Sequence, residues 1–236
     1  MGNNKLTDYY RAGGIGGIKL GRPEGVDEIP WDIQRSICAN PSKKLIYYKP
    51  GKAAGTSIFR HILQPMGGWI IQKDNPKEFS QWIESITDDE MDKYFKFIFV
   101  RNPFARLVSF WNDYKERVPF NSDFKEHVKN KNNFFKDDIP TLLHHQTQSS
   151  LIESPDGSKS NLNFIGKVEN IDEDWKTLCS MANIPYVPMV QSQAKSHAHH
   201  ASFYDKETAK IVADMYERDF EMFGYSKKLR KGRKNG

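Results

Sequence analysis

Apolar residues in this chain fall into short alternating or helically spaced groups. Lys44-Leu45-Ile46-Tyr47-Tyr48 is a brief β-prone stretch that breaks at Pro50-Gly51. Thr56-Ser57-Ile58-Phe59-Arg60-His61-Ile62-Leu63 predicts the opening of a helix. Between Phe79 and Tyr94 the apolar positions Phe79, Trp82, Ile83 and Ile86 keep helical spacing. Phe95-Lys96-Phe97-Ile98-Phe99-Val100 is the best strand pattern in the chain. It stops at Arg101-Asn102-Pro103, where Asn102 can cap and Pro103 can take the first helical position. The helix expected from Phe104 to about Arg117 carries Phe104, Leu107, Val108 and Trp111 on one side, so Trp111 and Tyr114 read as packing residues. Residues 118–160 are polar and irregular, with short helices expected. Asn163 to Val168 predicts another strand, and Ile171 to Ala182 a helix that ends before Pro185. After a loop from Pro185 to Ala201, Asp205 is expected to cap one long amphipathic helix through Phe223. The alternation predicts an α/β domain whose sheet has at least one parallel pair.

Residues 1–40 read as a polar leader, 41–226 as the working domain and 227–236 as a basic tail. The leader's Gly13-Gly14-Ile15-Gly16-Gly17 is not a dinucleotide fingerprint, because no strand precedes it and no amphipathic helix follows. A chain of 236 residues suits a single α/β domain. An aromatic content of 13% excludes a disordered chain. No apolar run is long enough to cross a membrane, the N-terminus lacks a signal-peptide core, and Leu6 stands where a myristoylation motif needs Ser or Thr.

The formal charge of +5 is local. Lys227, Lys228, Arg230, Lys231, Arg233 and Lys234 crowd the tail, and without them 29 basic residues face 30 acidic ones. The body is therefore nearly neutral, which argues against a nucleic-acid-binding surface despite a pI near 9.0. Two cysteines, Cys38 and Cys179, point to reduced thiols in a cytoplasmic protein, and no zinc spacing is present.

Candidate chemistry begins at Lys49-Pro50-Gly51-Lys52-Ala53-Ala54-Gly55-Thr56-Ser57, between a strand end and a helix start. Small residues let the backbone curl around an anion, helix-start amides point at it, and Lys52, Thr56 and Ser57 add a cation and two hydroxyls. The order differs from a Walker loop, because Lys52 precedes the small residues. The next strand ends in Arg101-Asn102-Pro103 with no acidic residue, so that position offers a cation where a kinase would hold Mg²⁺. Arg101 leaves the strand where open α/β sheets bind ligands, and Ser109 follows about two helical turns on.

Four ordered segments resemble the carbohydrate sulfotransferase family. Gly51-Lys52-Ala53-Ala54-Gly55-Thr56-Ser57 is similar to its 5′-phosphosulfate loop. Phe99-Val100-Arg101-Asn102-Pro103-Phe104-Ala105-Arg106-Leu107-Val108-Ser109 is similar to its 3′-phosphate element. Phe164 to Asn170 and Tyr216 to Tyr225 complete the likeness. The resemblance implies an α/β fold, a P-loop-like three-layer domain with a central mostly parallel sheet flanked by helices, and transfer of a sulfuryl group from 3′-phosphoadenosine 5′-phosphosulfate to an acceptor hydroxyl, on a carbohydrate or a small molecule, without a metal. It implies that Lys52 neutralises the leaving oxygen, that amides near Ala54 to Ser57 hold the 5′-phosphate, and that Arg101 and Ser109 hold the 3′-phosphate. Golgi members carry a membrane anchor ahead of the domain, and this chain is expected to be a cytoplasmic form.

Many members place a histidine base between the two donor motifs, and Gly67 to Asp74 has none. Asp74, His144 and His145 are the candidate proton acceptors. Lys195 is a candidate phosphate contact, and the neighbouring His197-Ala198-His199-His200 reads as a polar loop without metal-ligand partners. Two other readings are a small nucleotide-dependent kinase and a non-catalytic relative that binds nucleotide or glycan.

Overall fold

Strands β1 (Ile37–Asn40), β2 (Leu45–Tyr48), β3 (Ile70–Ile71), β4 (Phe95–Val100) and β5 (Phe164–Lys167) form one sheet in the order β3-β1-β2-β4-β5. The computed structural model describes residues 37–71, 74–115, 123–130, 144–153, 161–188 and 200–229. β2, β4 and β5 run parallel, while β1 is antiparallel to both β2 and β3. Four of the five strands thus point one way. The chain leaves β2 towards β3 on one side and leaves β4 towards β5 on the other. The gap between β2 and β4 is therefore a topological switch point, with its crevice at the carboxyl ends of the strands.

Period-two alternation sorts the sheet's side chains into two cores. On one face Ile46, Tyr48, Ile98 and Val100 pack with Phe79 and Ile83 of α2 (Pro76–Ser85) and Met91 of α3 (Asp88–Met91). On the other, Leu45, Tyr47, Phe97 and Phe99 meet Ile58, Phe59 and Leu63, which follow β2, and Trp175 and Leu178 of a helix that follows β5. A third core at the carboxyl end joins α4 (Pro103–Tyr114), α5 (Phe124–Lys129), α7 (Lys206–Met215) and α8 (Glu217–Met222). The helix after β5 is α6 (Ile171–Met181).

Several expected boundaries move. β1 lies inside the span read as leader, so the folded unit reaches back at least to Ile37. Its four residues are all buried and show no alternation to read. The helix expected at 56–63 is a short α1 (Gly55–Ile58) that loosens into a π-turn (Phe59–Leu63). The segment expected as one helix from Phe79 divides at Ile86, whose ψ of 136° is extended, before Thr87 caps α3. The long C-terminal helix is two, broken at Tyr216 (φ −109°, ψ 24°). Its apolar spacing ran on because Val212 and Phe220 face one core across the break. Lys227 at the start of the expected tail pairs with Glu217 and Glu221, and Leu229 packs on the third core.

Candidate functional site

The turn after β2 carries the first part of the site. Lys52 (φ 64°) and Ala54 (φ 57°) both adopt the left-handed conformation, which disfavours a non-glycine residue by roughly 1–2 kcal/mol. Two guanidinium groups grip the strained turn. Arg106 Nε donates to the Gly51 carbonyl at 2.9 Å, and Arg101 Nη1 donates to the Lys52 carbonyl at 3.3 Å. In a trans peptide the next N–H points opposite to the carbonyl, so the amides of Lys52 and Ala53 face away from the guanidinium groups. They lie beside the start of α1, so the turn offers backbone donors next to a helix start, a composition that suits an anion. Ala53 and Gly55 are buried, Gly51, Lys52, Ala54 and Ser57 are half-buried, and Thr56 is exposed. A Cβ at Gly55 would lie 2.6 Å from Lys49 Cγ, so the Lys49 stem runs across the helix start. Lys49 is a further cation of the turn. Its position directly after the strand is the signal that could have marked it.

Arg101, at the carboxyl end of β4, is fixed by its backbone. Its N–H donates to Gln148 Oε1, and its carbonyl accepts from Gln148 Nε2, both at 2.8 Å. Gln148 is held in turn by Asp219, whose carboxylate accepts from the Gln148 and Ser149 backbone amides at 2.8 Å each. Asp219 is fully buried, with Arg106 Nη1 4.0 Å away. Arg106 also donates to the carbonyls of His144 (3.0 Å) and Gln146 (2.6 Å). The third and fourth motif segments close the arrangement. Glu169 accepts from the Asn102 amide and from the Tyr225 hydroxyl, each at 2.8 Å, and Asn102 caps α4 through the Phe104 amide at 2.9 Å. Burial pulls the Arg101 guanidinium below its ordinary pKa; Glu169 and Tyr225 oppose that shift, and Arg106 adds to it. An anion at Arg101 would offset this desolvation.

One face of α4 lies along the turn. Arg106 reaches Gly51, and Asp113, seven residues on, holds its Oδ2 3.1 Å from Lys52 Nζ. Ser109 sits between them on the same helical face, half-buried. Lys52, Arg101 and Ser109 thus share one region of the molecule.

The candidate proton acceptors separate. A Cβ at Gly51 would lie 3.0 Å from His144 Cδ2, so the His144 ring borders the turn, and it stacks on Phe110 at 5.5 Å. His145 is buried instead, edge-on to Phe110 at 4.4 Å and with its Nε2 3.4 Å from His127 Nε2. Asp74 is exposed just past β3, the edge strand that β1 separates from β2. Lys195, His197 and His199 lie outside the described residues, and His200 opens a 3₁₀ turn. Trp111 packs edge-on against Phe124 and Phe203, as its spacing predicts. Among the described residues no group of three or more His, Cys, Asp or Glu side chains is placed to hold a metal, and no helix is long and apolar enough to cross a membrane.

Gln148, Asp219 and Asp113 were not singled out from sequence. Gln148 touches Arg101 across 47 residues and Asp219 across 71, so no local spacing announces the chain of contacts. Asp113 had a signal: it continues the face of α4 that begins at Arg106 and Ser109.

A family model described as the sulfotransferase family matches residues 35–226. No curated protein and no solved structure matches the chain.

Proposed function

The chain belongs to the sulfotransferase family, and on that premise we propose that it moves a sulfuryl group from 3′-phosphoadenosine 5′-phosphosulfate to a hydroxyl of a carbohydrate or small-molecule acceptor. The observation that carries the donor assignment is the bond from Arg101 to the Lys52 carbonyl. It sets the two cationic motifs side by side, which supports a donor with phosphates at both ends. The amides of Lys52 to Ser57, with Lys49 beside them, receive the 5′-phosphosulfate. Arg101 and Ser109 receive the 3′-phosphate, and Lys195 keeps the supporting role proposed from sequence.

In the proposed reaction the acceptor oxygen attacks sulfur in line. Its proton passes to His144, whose ring borders Gly51, as the new O–S bond forms. The S–O bond to the 5′-phosphate breaks, and its electron pair leaves on the phosphate oxygen, where the Lys52 ammonium neutralises it. Positioning and electrostatics carry the step. No metal is invoked, since β4 ends in Arg101 at the position where a kinase would place a metal-holding acid. The working domain is taken as residues 37–226. Cys38 and Cys179, both buried and unpaired, accord with the reducing, cytoplasmic setting proposed from sequence.

The test combines transfer and binding. Label from ³⁵S-donor should reach a mixed pool of sugar and small hydroxyl acceptors in the presence of a chelator. Adenosine 3′,5′-bisphosphate should bind at least roughly tenfold more tightly than AMP, as charge-assisted bonds to the second phosphate require. Equal affinity for the two nucleotides, with no label transferred, overturns the reading.

A further inference from the structure

Lys52 does not wait in an open pocket. Its Nζ lies 3.1 Å from Asp113 Oδ2, and the two side chains are only 19% and 35% exposed. The pair joins the turn after β2 to the third turn of α4, on the helix face whose other end holds Gly51 through Arg106. A site built to hold a polyanion gathers Lys49, Lys52 and Arg101, yet it keeps one negative charge against the cation nearest the strained backbone. That charge opposes anion binding twice. It occupies the ammonium, and it repels an incoming phosphate.

We propose that Asp113 is a positioning residue, an anionic latch that holds Lys52 against α4 and that an anion entering the cradle must displace. The inference rests on the donor-site reading above and deepens it: the carboxylate sets how tightly the cradle grips its anion and from which direction Lys52 reaches it. When the cradle fills, the ammonium turns from the carboxylate to the anion. When product leaves, the carboxylate takes Lys52 back, which favours release. Removing the negative charge should therefore tighten anion binding. Structural damage to the site would do the opposite.

The experiment is calorimetric titration of the full chain, the parent against Asp113→Asn, with adenosine 3′,5′-bisphosphate and separately with inorganic pyrophosphate. Asp113→Asn should bind both roughly three- to thirtyfold more tightly, the range expected for losing a partly screened charge beside an anion. Asp113→Glu should restore the parent's affinity. In transfer assays Asp113→Asn should lower the donor KM without raising kcat, because product is held longer. Asp113→Ser, checked for fold by circular dichroism, replaces the amide variant if that one does not fold. Unchanged or weaker pyrophosphate binding by a folded variant overturns the latch, and so does the absence of pyrophosphate binding in parent and variant alike. If the parent fails to distinguish the bisphosphate from AMP while Asp113→Asn still tightens pyrophosphate binding, the donor assignment falls and the latch stands.

Discussion

Lys52 and Arg101 bring positive charge to the same turn but are built differently. Lys52 ends a flexible stem whose ammonium contacts a half-exposed carboxylate. Arg101 is clamped through its backbone by a fully buried Gln148, and its guanidinium is partly desolvated. A movable charge suits an oxygen whose charge develops only as a bond breaks, and a fixed one suits a phosphate that stays the same throughout. Lys52→Ala should therefore lower kcat by roughly a hundredfold or more while donor affinity falls only a few-fold. Steady-state kinetics paired with bisphosphate titration checks this, and a variant as active as the parent removes Lys52 from the chemistry. Arg101→Ala should weaken adenosine 3′,5′-bisphosphate by roughly ten- to a hundredfold and leave AMP within a few-fold. Equal losses for both nucleotides would remove the 3′-phosphate from Arg101.

The elements meet through a few buried polar ties. Arg106 donates from α4 to the carbonyls of Gly51, His144 and Gln146, three bonds in directions that a guanidinium fork can serve and an ammonium cannot. Arg106→Lys should lower stability by about 3 kcal/mol and slacken the anion turn, read as a fall in the urea midpoint together with weaker pyrophosphate binding. An unchanged midpoint would mean that the turn holds itself. On β5, Gly166 lets the strand lie against an aromatic ring, since a Cβ there would come within 2.4 Å of Phe99 Cε1. Gly166→Ala should cost about 1–3 kcal/mol through overpacking, by the same measurement. These ties explain what could be read from the sequence. The cradle, the Arg101 element and the strands β2, β4 and β5 are each written within about ten residues, in spacing and punctuation that one pass along the chain detects. β1 and β3 escape because strands of four and two residues are too short to show a period. Gln148 and Asp219 escape because what makes them matter is an alignment of distant segments, which burial and hydrogen bonding produce only after the sheet has formed.

At the scale of the whole molecule, the third core links the helices around the site and contains a titratable centre. His127 of α5 is 1% exposed, and its Nε2 lies 3.4 Å from that of His145. Both rings pack near Phe110 of α4, on which His144 also stacks. Loss of solvent pushes the His127 imidazole down to about 4, whereas in the unfolded chain it titrates near ~6.5. Between those values the unfolded chain binds a proton that the folded protein refuses, so stability falls as pH drops through the window and is complete above it. Taken alone, this group removes about 2 kcal/mol of unfolding free energy between pH 7 and pH 5. His127→Gln cannot titrate, so its urea-derived stability should change less over the same interval, with the difference between the two slopes isolating His127 from the carboxylates. Because the histidine pair packs on Phe110, on which His144 also stacks, the acid loss should also loosen the surroundings of His144 before the sheet itself opens. Amide exchange at pH 5 should then be faster in α4 and α5 than in β2 and β4. Identical pH slopes for parent and His127→Gln would show that the buried pair does not govern the acid limb.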